Sequence, residues 1–384
     1  MQRSSVWSVA SASRRSSILI IYTGGTIGMR IDQQTGALVP FDFGGIYEEF
    51  PALKYLSVDI DVHTMPKLID SSNMQPSDWV AMAEVIRSNY ERYDGFVVLH
   101  GTDTMSYSAS ALSFMLENLA KPVVFTGSQI PIGRLRTDGR ENLITAIEIA
   151  GARRADGEPM VPEVSLLFHS CLYRGNRTHK MSAEELDAFS SPNFPALAEV
   201  GVKISYNEPL ISSAKGVAEP LRVATMMNEG VAIIKLFPGI GEYTLRAILA
   251  VEGLRGVVLE TYGAGNAPTS EWFLRLMRET VERGVVVMNV TQCDNGSVEM
   301  QLYETGLRLQ AAGVLSGYDM TTDVAQTNPY ATASSWIRSF SGDGYAPATQ
   351  VYSCINNILY DKIADSDVRK GWWVNAELQS PLLE

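Results

Sequence analysis

Cysteine and histidine are scarce in this sequence, with three and four copies among 384 residues. Cys171, Cys293 and Cys354 are odd in number and widely separated, which excludes a disulfide framework, and no pair has zinc-finger spacing. Free thiols in a reducing cytoplasm are therefore expected. His63, His100, His169 and His179 form no H-x-x-x-H or H-E-x-x-H pair, so a histidine-built metal site is not expected. Positive charge is in deficit. A formal net charge of −12 argues against an extended nucleic-acid surface, because phosphate contacts need clustered Lys and Arg, yet it leaves room for one locally positive pocket. No apolar stretch approaches the length of a membrane span, so no membrane partner is expected. Met1–Ser17, rich in Ser and Arg, lacks the apolar run of a secretory signal and is expected to be a disordered tail or an added leader rather than a transit peptide.

What is present is apolar sequence in abundance: 46% of residues, enough for a sizeable core in a chain whose length suits two domains. Ser17–Tyr22, Val58–Met65, Gly95–Leu99, Val123–Thr126 and Val164–His169 are β-branched or apolar runs, each followed by a polar or glycine-rich turn. Helical spacing falls between them. Trp79, Ala83, Ile86 and Tyr90 share one face after Pro76, and Ser106–Leu119 and Asn142–Ala150 behave similarly. Near-continuous apolar strands alternating with helices predict an α/β fold whose mostly parallel sheet is covered by helices on both faces. A second, smaller α/β series starts near Val231, with strands at Val231–Leu236, Gly256–Leu259 and Val285–Val290. The expected organisation is an N-terminal domain over 17–206, a linker over 207–222 and a C-terminal domain over 223–384. In the last sixty or so residues only Ala348–Ile363 suggests a helix.

In an open parallel sheet, ligands bind beyond the carboxyl ends of the strands. The turns at those ends are rich in hydroxyls: Thr23-Gly24-Gly25-Thr26, Asp70-Ser71-Ser72 and His100-Gly101-Thr102-Asp103. Two glycines let the backbone approach a ligand closely and present N–H groups. Thr26 then reads as a nucleophile or as a helix N-cap. A dinucleotide fingerprint is absent, since Gly24-Gly25-Thr26-Ile27-Gly28 does not supply G-x-G-x-x-G. No G-x-S-x-G elbow occurs either. Asp103 alone would cap the next helix, Asp70-Ser71-Ser72 alone would be an ordinary turn, and Lys180 alone would be a solvated loop residue. His100 reads as a hydrogen-bonded structural residue.

Taken together, these segments resemble the asparaginase family, in particular its bacterial cytoplasmic (type I) branch. The stretches that carry the resemblance include YTGGTIGM at 22–29, IDSSNM at 69–74, VVLHGTDTMSYS at 97–108, VVFTGSQIPI at 123–132, LYRGNRTHK at 172–180, ETYGAGNAP at 260–268 and NVTQC at 289–293. The resemblance implies hydrolysis of L-asparagine to L-aspartate and ammonia through an acyl-enzyme, with no metal or organic cofactor. It implies Thr26 as nucleophile, Thr102 as the second catalytic threonine, Asp103 as the acid that grips the substrate ammonium, and Lys180 as the partner that tunes Thr102. Asp70, Ser71 and Ser72 would line the pocket, Ser71 facing the substrate carboxylate. It also implies a homodimer or homotetramer in which Asn266 reaches a neighbouring subunit's site.

Two departures from the family pattern stand out. A tyrosine common in the flap after T-G-G-T is missing from Thr35-Gly36-Ala37-Leu38-Val39-Pro40, and the sequence after Asp323 lacks the expected helix-rich ending. Met29 to Gly45 is expected to form a mobile flap over bound substrate. Tyr47 then reads as either a substitute for that tyrosine or a packing residue. Two alternatives share the motifs: the amidase component of a tRNA-dependent amidotransferase, which carries an extra domain ahead of T-G-G-T, and a non-catalytic amino-acid sensor.

Overall fold

The computed structural model describes residues 15–31, 38–40, 50–214 and 220–327. Its centre is β1 (Ser16–Tyr22), whose alternation divides the larger domain into two cores. Ile18, Ile20 and Tyr22 point to one core and Leu19 and Ile21 to the other, as the two-residue period of a strand requires. The other strands of this sheet are β2 (Val58–Thr64), β3 (Gly95–Leu99), β4 (Val123–Thr126), β5 (Val164–Phe168), β6 (Cys171–Arg174), β7 (Ala198–Val200) and β8 (Ile204–Tyr206). They lie in the order β2-β1-β3-β4-β5-β6-β7-β8. The first five run parallel, and β6, β7 and β8 add an antiparallel edge. Helices α1 (Pro76–Asn89) and α2 (Met105–Met115) bury their apolar faces in the Leu19–Ile21 core, and α3 (Gly139–Gly151) buries Leu143, Ala146, Ile147 and Ala150 in the other. Helix α1 starts where the sequence indicated. Pro76 fits the first turn, and Asp78 Oδ2 accepts the Gln75 backbone N–H at 2.8 Å, satisfying a donor that the helix itself leaves unpaired.

The smaller domain is a four-stranded parallel sheet, β9 (Val231–Lys235), β10 (Gly256–Thr261), β11 (Val286–Thr291) and β12 (Leu315–Ser316), paired in that order. Helices α4 (Glu242–Leu249), α5 (Glu271–Glu282) and α6 (Glu304–Ala311) cover one face through Leu245, Phe273, Met277 and Leu309. The opposite face carries Val258, Met288 and Val290 against Phe114 of α2 and against Val324 and Ala325 of a short helix, α7 (Thr322–Thr327). The two domains thus share an apolar contact. The two-domain α/β architecture with a mostly parallel larger sheet is the one expected.

Helix α2 is shorter than the expected Ser106–Leu119. It stops at Met115 because Leu116–Glu117 pair antiparallel with Arg222–Val223. Both described ends of the 207–222 segment are tied to the larger domain, at one end by this pairing and at the other by the Arg154–Glu208 ion pair and a bond from Ser212 N to Glu163 Oε1. Helix α3 begins three residues before the expected Asn142, at Gly139. Part of the expected flap is a short antiparallel pair, Met29–Ile31 with Leu38–Pro40. The rest of it, Tyr47, Cys354 and the expected Ala348–Ile363 helix lie outside the described residues.

Candidate active site

Tyr22, Leu99 and Thr126 stand side by side at the carboxyl ends of β1, β3 and β4. The three turns that follow therefore leave the sheet at one level. From β1 the chain crosses to the edge strand β2, and from β3 it crosses the opposite way to β4, so the strand order reverses between β1 and β3. Such a reversal opens a crevice outside the sheet. Thr23–Thr26 form one wall of it and His100–Asp103 the other.

Glycine sets how tightly those walls meet. Gly25 has φ +83°, a conformation that side chains resist, and a Cβ there would lie 2.4 Å from Gly101 N. A Cβ on Gly101 would in turn lie 2.5 Å from Ser71 Oγ. Three turns from separate strands thus interlock, two of them through bare backbone. Thr26 opens a 3-10 turn over Thr26–Gly28 whose N-cap is Gly25, so the capping role open to Thr26 in the sequence is not the one it fills. Half-buried Thr26 forms no side-chain hydrogen bond among the described residues. Ser71 is buried, and its carbonyl accepts from Thr104 Oγ1 at 2.7 Å. Asp70 and Ser72 are exposed and engaged with each other: Asp70 Oδ1 accepts from Ser72 N at 3.1 Å and Ser72 Oγ at 3.0 Å. They build the turn that presents Ser71.

Lys180 comes to the same crevice from far along the chain. It sits on a two-residue strand, His179–Lys180, paired with Phe189–Ser190. Its Nζ donates to Thr102 Oγ1 at 2.8 Å and to Asp103 Oδ1 at 2.7 Å. The Thr102 hydroxyl passes its own proton towards Gln129 Oε1 at 3.3 Å. Lys180 is mostly buried and Asp103 largely exposed, so the pair offers a carboxylate to a ligand while its ammonium is held inside. Gln129 was not singled out in the sequence. Its only signal was its place in the turn after β4, and an amide in a turn carries no chemical signature.

Beneath Thr102, a chain of hydrogen bonds fixes the Gly101 peptide. Trp79 Nε1 donates to Ser108 Oγ at 2.8 Å, Ser108 Oγ donates to His100 Nε2 at 2.9 Å, and His100 Nδ1 donates to the Gly101 carbonyl at 2.7 Å. A carbonyl can only accept, so the imidazole proton sits on Nδ1. His100 is fully buried, and desolvation holds its pKa down at about 4, against an opposing contribution from the Gly101 bond. Above pH 6.5 the ring is neutral whether the chain is folded or unfolded. Between about pH 6.5 and 4 the unfolded chain takes up a proton that the folded one refuses. Stability should then drain by about 1.4 kcal/mol per pH unit, about 3 kcal/mol in all. Urea unfolding midpoints measured from pH 7 to 4 should fall more steeply for the native protein than for His100→Gln. Parallel profiles would remove His100 as the cause.

Asn266 is not part of this cluster. It lies beyond β10 in the smaller domain, bridged to Tyr262, and its carboxamide oxygen accepts from Thr305 Oγ1. Among the described residues no group of three or more His, Cys, Asp or Glu could hold a metal ion.

Residues 17–212 match the family described as Asparaginase, N-terminal, and residues 230–328 match the Glutaminase/Asparaginase C-terminal domain. The chain belongs to the asparaginase family. L-asparaginase 1 of Escherichia coli K12 is 42% identical over 319 residues, covering 82% of this chain and 90% of that one. The crystal structure of L-asparaginase I from Vibrio cholerae superposes with a TM-score of 0.74 at 40% identity, covering 82% of this chain and 91% of that one. A glutamyl-tRNA(Gln) amidotransferase polypeptide of Pyrococcus abyssi is 35% identical over 320 residues, covering 80% of this chain and 70% of that one.

Proposed function

We propose that this protein is an L-asparaginase that hydrolyses L-asparagine to L-aspartate and ammonia. The observation that carries the reading is Lys180 Nζ bonded to both Thr102 Oγ1 and Asp103 Oδ1 at the strand-order reversal that also holds the Thr26 turn. In the proposed reaction Thr26 Oγ1 attacks the side-chain amide carbon. The oxyanion so formed is stabilised by backbone N–H groups of the glycine turn and by the Thr102 side chain. The proton leaving Thr26 ends on the amide nitrogen, ammonia departs, and a Thr26 ester remains. Water then attacks the ester, releasing aspartate and restoring the hydroxyl. Asp103 binds the substrate ammonium, Ser71 faces the substrate carboxylate, and the Asp70–Ser72 pair holds Ser71 in place. The E. coli relative named L-asparaginase 1 supports this reading over the amidotransferase one, being both more identical and more fully covered.

Incubation with asparagine beside glutamine, with ammonia as readout, tests it. Glutamine's extra methylene displaces the amide carbon from Thr26, and discrimination from that size of misplacement reaches roughly a hundredfold in kcat/KM. Equal values for the two amides would overturn the substrate assignment, and binding of asparagine without ammonia release would make the protein a sensor.

A cytoplasmic location and a homodimer or dimer of dimers complete the proposal. Cys171 and Cys293 are free thiols, and no helix among the described residues is long and apolar enough to cross a membrane. Asn266, engaged within its own domain by Tyr262 and Thr305, is assigned to a neighbouring copy's site. Sedimentation of a fully active monomer at assay concentration would rule the assembly out.

A further inference from the structure

Lys180 stands on a strand of two residues, paired with Phe189–Ser190 of its own domain and tied further by side chains of the other domain. Asp323, in the first turn of α7, is 2% exposed and uses both carboxylate oxygens. Its Oδ2 accepts from His179 Nδ1 at 2.7 Å, and its Oδ1 accepts from Ser106 Oγ at 2.8 Å. His179 immediately precedes Lys180. Ser106, fully buried, is the second residue of α2, the helix that begins just after Thr102 and Asp103. One carboxylate therefore touches both segments whose side chains meet at Lys180 Nζ.

The surroundings make this a fixed point rather than a loose contact. Thr322 Oγ1 donates to Glu260 Oε1 at 2.6 Å, fastening α7 to β10 of the smaller sheet. Val324 packs beside Phe114, on the far end of the same α2. Arg177, three residues before Lys180 and nearly buried, pairs with Asp319 and donates to the Asn193 carbonyl at 3.2 Å. The charges facing His179 are Asp323, Asp294 and Glu260. The hydrogen bond to Asp323 is the largest cause raising the His179 pKa above its ordinary value. The bond is thereby charge-assisted when the ring is protonated, which is the stronger kind.

We propose that Asp323 is a positioning residue for the reaction: the smaller domain reaches across through this carboxylate to set Lys180 against Thr102 and Asp103. The inference rests on the roles assigned above to Thr102 and Lys180. A lysine side chain has four rotatable bonds and finds two acceptors at once only if its backbone is held, and misplacement on the ångström scale is enough to cost a large part of a rate.

The test is kinetic. Asp323→Asn in the full chain should lower kcat by between about tenfold and a hundredfold. KM for asparagine should stay within about twofold, because Ser71 and Asp103 still bind substrate. In a Lys180→Met background the same change should alter the residual kcat by less than about twofold, since there is no longer an ammonium to position. A substitution that merely loosened the fold would depress both backgrounds alike and raise KM, and that result would overturn the proposal. Should Asp323→Asn fail to fold, His179→Gln removes only the Lys180 side of the tie at a partly exposed position. It should give the same split of kcat from KM, and native kcat in that variant would also overturn it. Full activity in Lys180→Met and Thr102→Val would instead defeat the assignment of the site itself.

Discussion

Replacing Thr26 with alanine should lower kcat by at least about four orders of magnitude, the scale seen when a covalent nucleophile is removed. Its fold should be untouched. Thr26 is half-buried, its side chain forms no hydrogen bond among the described residues, and the turn it opens is capped by Gly25. Loss of such a hydroxyl typically changes stability by less than about 0.5 kcal/mol, or a shift in Tm of less than about 2 °C. The pair of measurements matters more than either alone. A dead enzyme with a native melting curve assigns Thr26 to chemistry, a dead enzyme with a collapsed curve assigns it to structure, and a variant of near-native activity removes it from the mechanism.

Lys180→Met and Thr102→Val should each cost at least about two orders of magnitude in kcat, the usual weight of a positioned proton-transfer group. In Lys180→Met the freed Asp103 carboxylate is 60% exposed and is solvated by water, so the stability cost stays within about 1 kcal/mol, as for surface pairs. In Thr102→Val the side-chain shape is kept while Lys180 Nζ loses one of its two acceptors and Gln129 its donor. Combined, the two changes should cost little more than either alone, because each breaks the same link. Losses below tenfold in both singles would reduce these residues to holding the loop in shape.

How much of this was legible follows from how local each feature is. The Gly95–Leu99 strand is bounded in the structure as in the sequence, because a run of apolar residues ending in His-Gly needs no distant partner to define it. The end of α2 was not legible. Helical spacing continues to Leu119, and what stops the helix is a strand pairing with Arg222–Val223, about a hundred positions away. Gly139 begins α3 although glycine is a poor helix former, because any Cβ there would press on Ser128 at 3.1 Å. In the site, the hydroxyl-rich turns could be found from the rule that ligands sit at strand ends, while Lys180 came only from family resemblance. Gln129 and Asp323 were silent. An amide in a turn and an acid in a short helix have no pattern of their own, and each acquires a role only through the group folded against it.

The tie at Asp323 also bears on when the protein begins to work. Asp323 follows His179 by 144 positions and Ser106 by 217. A ribosome adding about 5–20 residues per second brings out Lys180, the last of the four groups Thr26, Thr102, Asp103 and Lys180, roughly 7–30 s before Asp323. For that interval the larger domain can be folded, with the threonines, Asp103 and Lys180 already made, while the strand under Lys180 is held only by its own neighbours. On the role proposed for Asp323, the lysine takes its full working position only once that carboxylate has been made and closed on His179 and Ser106.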